Sequence, residues 1–443
     1  MSGTPGFEMD PRVGEGLGIK TGDFELHPGV AAEAGYDSNY FQRSGTGNET
    51  PIIDAYRLRI TPSLSFRTMG QRTNAEGGGP PPVLALNGAL SASYNALFAA
   101  DSHYSSEVSN QDHVAATAAL GLDILPDRPW GGDISADFAR TVEASNDPDT
   151  ADAFRRDTVN ARAGILWRPG GGLFRWRLGY ALRTQFFEDS GFSDLNNLQH
   201  RLETQGRWKF LPRTALVYSG ELDWLTYTKN PQVLSDGSYA RSLIGVNGLI
   251  SNYFGALIMG GWGETFFKQR GVVPAENFDS FIGQAELTWY PGSRSDLPEG
   301  TSPGVSSVSV GYHRTFAPSY LGNYYIRDRG YLNGVLLISE HFVLSGAGGF
   351  SHITRPLAYL TNGDPQQNSN GPENRIDATA FFEYRPTSSV GINATFRYDT
   401  ELNTKPVALV DRGRDPTGPI PIGQADDLYF KRYQIFIGVR WFL

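Results

Sequence analysis

The stretch that decides the fold is YQIFIGVRWFL, residues 433–443, at the end of a 443-residue chain. Tyr433, Ile435, Ile437, Val439, Trp441 and Leu443 share one face of an extended strand. Gln434, Gly438 and Arg440 share the other, and Phe436 and Phe442 break the alternation. Side chains of a strand point alternately to its two faces, so a period of two marks an apolar wall with a polar back. A C-terminal strand of this kind fits the lipid-facing wall of an outer-membrane β-barrel.

The same alternation recurs upstream. In 53–68, Tyr56, Leu58, Ile60, Leu64 and Phe66 lie opposite Arg57, Arg59, Thr61, Ser63, Ser65 and Arg67. In 173–188, Phe174, Trp176, Leu178, Tyr180 and Leu182 lie opposite Arg175, Arg177, Gly179 and Arg183. In 373–385, Ile376, Ala378, Ala380, Phe382 and Tyr384 oppose Arg375, Asp377, Thr379, Glu383 and Arg385. In 389–403, Ile392, Ala394, Phe396 and Tyr398 oppose Asn393, Thr395, Arg397 and Asp399. The predicted strands are 23–38, 53–68, 83–99, 110–124, 131–144, 155–168, 173–188, 195–209, 212–228, 239–251, 253–268, 278–290, 304–316, 323–337, 340–353, 373–385, 389–403 and 427–443. The fold class is therefore all-β: one transmembrane antiparallel outer-membrane β-barrel of about 18 strands over 23–443. Residues 1–22 are expected to form an N-terminal periplasmic extension.

Composition agrees. Hydrophobic residues are 40%, mean hydropathy is -0.34 and charged residues are only 19%. No apolar run approaches the length of a membrane helix. A barrel hides its membrane character in alternation, so modest hydropathy is compatible with it. Aromatics reach 12%, and Trp167, Trp176, Trp208, Trp224, Trp289 and Trp441 fall near predicted strand ends, where headgroup girdles form. A large soluble β-sandwich would also bury such rings, but eighteen strands without a domain linker argue against it. The start, MSGTPGFEMDPRVGEGLG, has no apolar run and is expected to be a processed or engineered beginning.

The connections alternate in length. Working back from a periplasmic C-terminus, short turns are predicted at 386–388, 338–339, 210–211 and 169–172, rich in Gly and Pro. Two periplasmic turns, 69–82 and 291–303, are long and polar. Outward loops are longer, above all 354–372 and 404–426, which are expected to frame the outer mouth.

The inward faces carry both signs of charge. The lumen-lining candidates are Arg57, Arg59, Arg67, Arg162, Arg175, Arg177, Arg183, Glu221, Asp223, Glu286, Arg375, Asp377, Glu383, Arg385, Arg397 and Asp399. An eighteen-stranded wall encloses more space than side chains fill, so water keeps such charges solvated. Two roles are open for them. Ion-pair ladders brace the wall, with Arg375, Asp377, Glu383 and Arg385 matched along one strand. Alternatively, the arginines of the second and seventh strands lower the barrier to an anionic solute.

Other chemistry is not visible. There is no Cys, which removes disulfides and thiolate sites. Net charge is -9 without a basic block, so no nucleic-acid partner is expected. The seven histidines form no HExxH motif, and GxSxG and GxxxxGK are absent. No metal, no cofactor and no enzymatic activity are expected. Gly346-Ala347-Gly348-Gly349 reads as strand glycine that permits a close approach.

One segment adds a resemblance. FELHPGVAAEAGYDSNYF, Phe24 to Phe41, with the run Gly35-Tyr36-Asp37-Ser38-Asn39-Tyr40-Phe41 and the following RLRITPSLSF, resembles the opening of the β-barrel porin type 2 family. That resemblance implies an outer-membrane conduit associated with exopolysaccharide loci of Gram-negative bacteria. It implies a polysaccharide substrate and a periplasmic polysaccharide co-export protein of a Wzx/Wzy-dependent pathway, with 69–82 and 291–303 as candidate docking turns. The terminal Leu443 departs from the usual terminal Phe. Polysaccharide export, passive diffusion of small anionic or sugar solutes, and a structural barrel of an envelope complex all remain open readings. The barrel is expected to be monomeric and surrounded by outer-membrane lipid.

Overall fold

The computed structural model describes residues 18–45, 51–68, 82–143, 154–188, 190–229, 234–268, 277–291, 306–320, 323–338, 341–355, 372–403, 406–407, 426–427 and 429–443. Eighteen long strands form the wall. They are β1 (Phe24–Asp37), β2 (Ala55–Thr68), β3 (Leu84–Ala99), β4 (His113–Ile124), β5 (Trp130–Glu143), β6 (Phe154–Trp167), β7 (Phe174–Phe187), β8 (Asn197–Leu211) and β9 (Thr214–Tyr227). The circuit continues with β10 (Gly237–Leu249), β11 (Phe254–Phe267), β12 (Asp279–Trp289), β13 (Ser307–Pro318), β14 (Tyr324–Ile338), β15 (Phe342–Thr354), β16 (Glu373–Thr387), β17 (Val390–Glu401) and β18 (Phe430–Phe442). Each pairs antiparallel with its sequence neighbours, and β18 pairs back on β1 from Gly29–Phe442 to Asp37–Gln434. At ~4.8 Å between strands and a tilt near ~40°, eighteen strands enclose a cylinder roughly 35 Å across. No described helix is long and apolar enough to cross a membrane; the chain crosses with strands.

The alternation read from the sequence is the alternation of the wall. In β18, Tyr433, Ile435, Ile437, Val439 and Trp441 are exposed to the outside, while Arg432, Gln434, Phe436 and Phe442 are buried on the inner face. Trp130, Trp167, Trp176, Trp208, Trp289 and Trp441 all project outward near the periplasmic rim. Across β5 to β9 they join a run of ring contacts: Trp130 on Trp167 at 5.7 Å, Trp167 on Phe174 at 5.4 Å, and Trp176 on Tyr218 at 5.9 Å. Trp224 and Trp262 sit toward the outer ends of β9 and β11. A closed antiparallel barrel with an apolar outer face and aromatic girdles is the architecture of the outer membrane of Gram-negative bacteria, and this protein is an outer-membrane barrel.

Some boundaries differ from the sequence reading. Residues 105–109 form one helical turn, and β4 begins only at His113. Side chains hold this loop: Asp101 accepts from the His103 N–H, and Asp112 accepts from the Leu97 N–H at 2.7 Å. Ile19–Thr21 folds back as a short strand on β1, turning at Gly22, whose φ of 58° suits glycine. Residues 1–17, nearly all of 69–82 and 291–303, and most of 354–372 and 404–426 lie outside the described residues. Pairing between β12 and β13 stops at Gly283–Arg314, so their outer ends part and Phe316 turns in against Phe278 at 4.4 Å.

The Gly-Tyr-Asp-Ser-Asn-Tyr run closes the barrel. Asp37 is 1% exposed and accepts from Arg432 and from Gln434 Nε2 at 2.6 Å, both on β18. Asn39, fully buried, donates to the carbonyls of Arg43 at 2.8 Å and Lys431 at 3.1 Å. Gly35 leaves room for the inward Phe436 ring, which a Cβ would strike at 2.0 Å. Removing one member of a buried ion pair strands the other charge, at a cost of about 3–5 kcal/mol. Asp37→Ala is therefore expected to lower the urea unfolding midpoint strongly, and Asp37→Asn less so. Gel mobility of folded against unfolded barrel reads this; an unchanged midpoint for Asp37→Ala would show that the seam does not depend on the pair.

Candidate permeation path

The charged inner face is arranged as short bridges that lie flat on the wall. Arg177 on β7 crosses β6 to reach Asp133 on β5 at 2.7 Å, and also pairs with Glu203 on β8. Its guanidinium passes over Gly164, where a Cβ would sit 2.7 Å away. Arg329 on β14 likewise crosses β15 over Gly349 to reach Asp377 on β16 at 2.6 Å. Glycine is needed at both crossings because any side chain would lift the arginine into the lumen. Glu383, fully buried, holds Arg385 at 2.5 Å and Arg440 of β18 at 2.6 Å. The inward Phe442 carries both guanidinium groups, at 5.6 and 5.2 Å. Phe436 does the same for Arg57 and Arg59, both at 5.6 Å. The two breaks in the terminal alternation are thus seats for arginines.

The sixteen charged residues picked from the sequence sit on this inner face but in separate groups. Arg57 and Arg59 stand near the outer end of β2, and Arg59 pairs with Glu33 at 2.6 Å. Arg175 and Arg177 stand near the periplasmic end of β7. The two pairs do not form one cluster, because β2 runs inward and β7 outward, so early positions fall at opposite rims. Arg183, Glu221, Asp223, Arg375, Arg397 and Asp399 belong to the outer half. Arg67 pairs with Glu25 at 2.8 Å at the periplasmic rim. Glu286 accepts from the Tyr331 hydroxyl at 2.7 Å. Arg162 and Arg175 face lumen water.

The ladder expected along β16 is replaced by bonds across strands. Arg375 pairs with Asp399 on β17, Asp377 with Arg329 on β14, and only Glu383–Arg385 runs along one strand. Arg375 reaches Asp399 diagonally, since its direct register partner is Glu401, and Asp377 is reached by Arg329 across β15 because Gly349 leaves the way clear. The sequence reading also missed Arg201, Glu203, Arg207 and Arg241. Arg201 binds Asp223 at 2.7 Å and Arg241 binds Glu221 at 3.1 Å. The alternating run Gln199, Arg201, Glu203, Gln205, Arg207 was the available signal.

Among the described residues, the path is lined by exposed side chains at one end and packed at the other. In the periplasmic half, inner-face residues of β2 to β8 such as Ser63, Ala89, Thr117, Ala119 and Arg162 remain exposed. Hydroxyl pairs line this band, Thr61 with Ser93 and Ser91 with Thr117, each at 2.7 Å. At the outer end, Phe187, Tyr227, Tyr239, Phe267, Phe278, Phe316 and Tyr324 form one buried cluster with Leu195 and Leu234 from the loops. It spans the mouth from β7 to β14. Tyr320, in the loop after β13, reaches β7 and β8, donating to Gln185 at 2.8 Å and accepting from Asn197 at 3.1 Å. Its ring meets Phe187 edge-on at 5.6 Å. A smaller cluster of Tyr40, Ile53, Ala55, Leu97 and Val108 packs the mouth beside β2 and β3.

No family model matches this chain, and no curated protein matches it. Solved outer-membrane barrels are similar to it at low identity. OccK5 (OpdH) of Pseudomonas aeruginosa is 6% identical with a TM-score of 0.45, over 94% of this chain and 98% of its own. The FrpB iron transporter of Neisseria meningitidis (F3-3 variant) is 10% identical with a TM-score of 0.46, over 96% and 82%. A bacterial polysaccharide outer membrane secretin is 10% identical with a TM-score of 0.31, over 93% and 98%.

If the aromatic cluster restricts the mouth, Tyr320→Ala removes its bridge to β7 and β8. The expected result is a higher single-channel conductance in planar bilayers with the folded band on gels unchanged. Wild-type conductance in the variant would show that the bridge does not limit flow.

Proposed function

We propose that this barrel is the outer-membrane conduit through which a polysaccharide leaves the cell. The protein transports across the outer membrane; the polymeric cargo is the further step. The observation that carries it is the asymmetry of the path, a wide hydrated vestibule on the periplasmic side beneath a loop-built apolar cover on the outside. A polymer entering from the periplasm meets hydroxyls and amides that exchange weak hydrogen bonds with sugar hydroxyls. The outer cover limits leakage when no polymer is threaded. The role proposed is passage without catalysis, so the driving force comes from polymer synthesis or from a periplasmic co-export partner. The turns 69–82 and 291–303 are the proposed docking surfaces for that partner.

Deletion of the gene, with an intact copy as complement, tests the proposal by measuring polysaccharide at the surface and in the periplasm. The expected outcome is loss from the surface while synthesis continues. Unchanged surface polysaccharide would overturn the export reading and leave a solute channel or an envelope scaffold.

A further inference from the structure

Most inner-face charges are paired; among those without a carboxylate partner, which include Arg183 in the outer half, three arginines lie on one side of the lumen. Arg162 on β6, Arg175 on β7 and Arg207 on β8 face the periplasmic half of the lumen, exposed to its water. None has a carboxylate or hydrogen-bond partner among the described residues. Arg175 and Arg207 are direct register partners, so two like charges stand opposite each other. Such an arrangement is destabilising in an antiparallel pair. Arg168, in the turn before β7, adds a third positive charge within electrostatic range of Arg175. Asp133, Asp137 and Glu203 are nearby acids; Asp133 and Glu203 are committed to Arg177, and Asp137, diagonal to Arg162, accepts from Asn160 at 2.5 Å. Asp123 faces Asp133 from β4, on the far side of that bridge.

Spacing identifies the kind of anion. Arg162 is the register partner of Ala181, six positions along β7 from Arg175. At about 3.3 Å per residue this places the two ends of the arginine track ~20 Å apart. One small anion cannot touch both ends, whereas an extended charged chain can. We propose that Arg162, Arg175 and Arg207 form the receiving track for an acidic glycan, one bearing repeated carboxylates, running from the periplasmic mouth to the middle of the wall. The inference rests on the export reading for the direction of travel, and it narrows the cargo from polysaccharides in general to anionic ones. Arginine suits the task because its planar fork binds a carboxylate through two charge-assisted hydrogen bonds while staying charged at any relevant pH.

The test is calorimetric binding to the purified full-length barrel in detergent. The probes are an oligogalacturonate long enough to span the track, a neutral dextran oligomer of the same length, and galacturonate monomer. The expected result is binding of the oligogalacturonate alone, weakened by salt. Changing all three arginines together (Arg162→Gln, Arg175→Gln, Arg207→Gln) is expected to weaken it at least roughly tenfold, the order of a few lost charge-assisted hydrogen bonds. None of the three holds the wall together, so the folded band on gels should persist. Arg207→Gln by itself should weaken binding while leaving the urea midpoint level or higher, because it relieves repulsion. Unchanged affinity in the triple variant, equal binding of dextran, or monomer binding as tight as the chain would overturn the proposal. Acidic-chain binding in a protein whose gene deletion leaves surface polysaccharide intact would retire the export reading only. Loss of surface polysaccharide without acidic-chain binding would retire the site only.

Discussion

Everything in this structure depends on closure, the pairing of the first strand with the last. An open sheet edge cannot stand in hydrocarbon, where its N–H and C=O groups find no water. β1 and β18 are almost the whole chain apart in sequence, and the entropic cost of joining such distant segments grows with the length of chain between them. The seam is accordingly reinforced. Asp37 and Arg432 meet in a buried ion pair, Gln434 adds a second donor, and Asn39 bonds the backbone of β18. The short motif that suggested a family resemblance is, in physical terms, the clasp of the barrel.

Closure creates a lumen, and the lumen determines how charge can be used. Inner-face carboxylates and guanidiniums are solvated enough to exist as ions, yet most of them are laid against the wall in ion pairs, and two of these, Arg177–Asp133 and Arg329–Asp377, skip a strand over a glycine. Bridges of this kind tie together strands that share no backbone hydrogen bonds and keep long side chains out of the path. Their regularity gives meaning to the residues outside the pattern. Arg162, Arg175 and Arg207 brace nothing, and two of them repel each other. Charges retained at a stability cost are most economically understood through what they bind.

The two ends of the path differ for the same reason that loops and turns differ. Most of the described periplasmic turns are tight, as at Pro169-Gly170-Gly171-Gly172, where three positive φ values reverse the chain in little space. Among the described residues they leave inner-face side chains of β2 to β8 exposed. The outer connections carry apolar residues that fold over the mouth and pack with inward aromatics of β7 to β14. That asymmetry is the feature on which the proposed polymer export rests.

The sequence by itself determined the wall. Period-two alternation is a property of each strand alone, so strand number, the lipid face and the tryptophans near strand ends were legible one segment at a time. Phe436 and Phe442 were visible as exceptions without a cause, since the cause is an arginine on another strand. Only the tertiary structure decided which charges meet. It separated Arg57 and Arg59 from Arg175 and Arg177 by strand direction, replaced a ladder along β16 with pairs across strands, and brought Arg207 beside Arg175. Those outcomes depend on register, on closure and on loops that fold inward. All three are set by contacts between residues far apart in the chain, which no local pattern encodes.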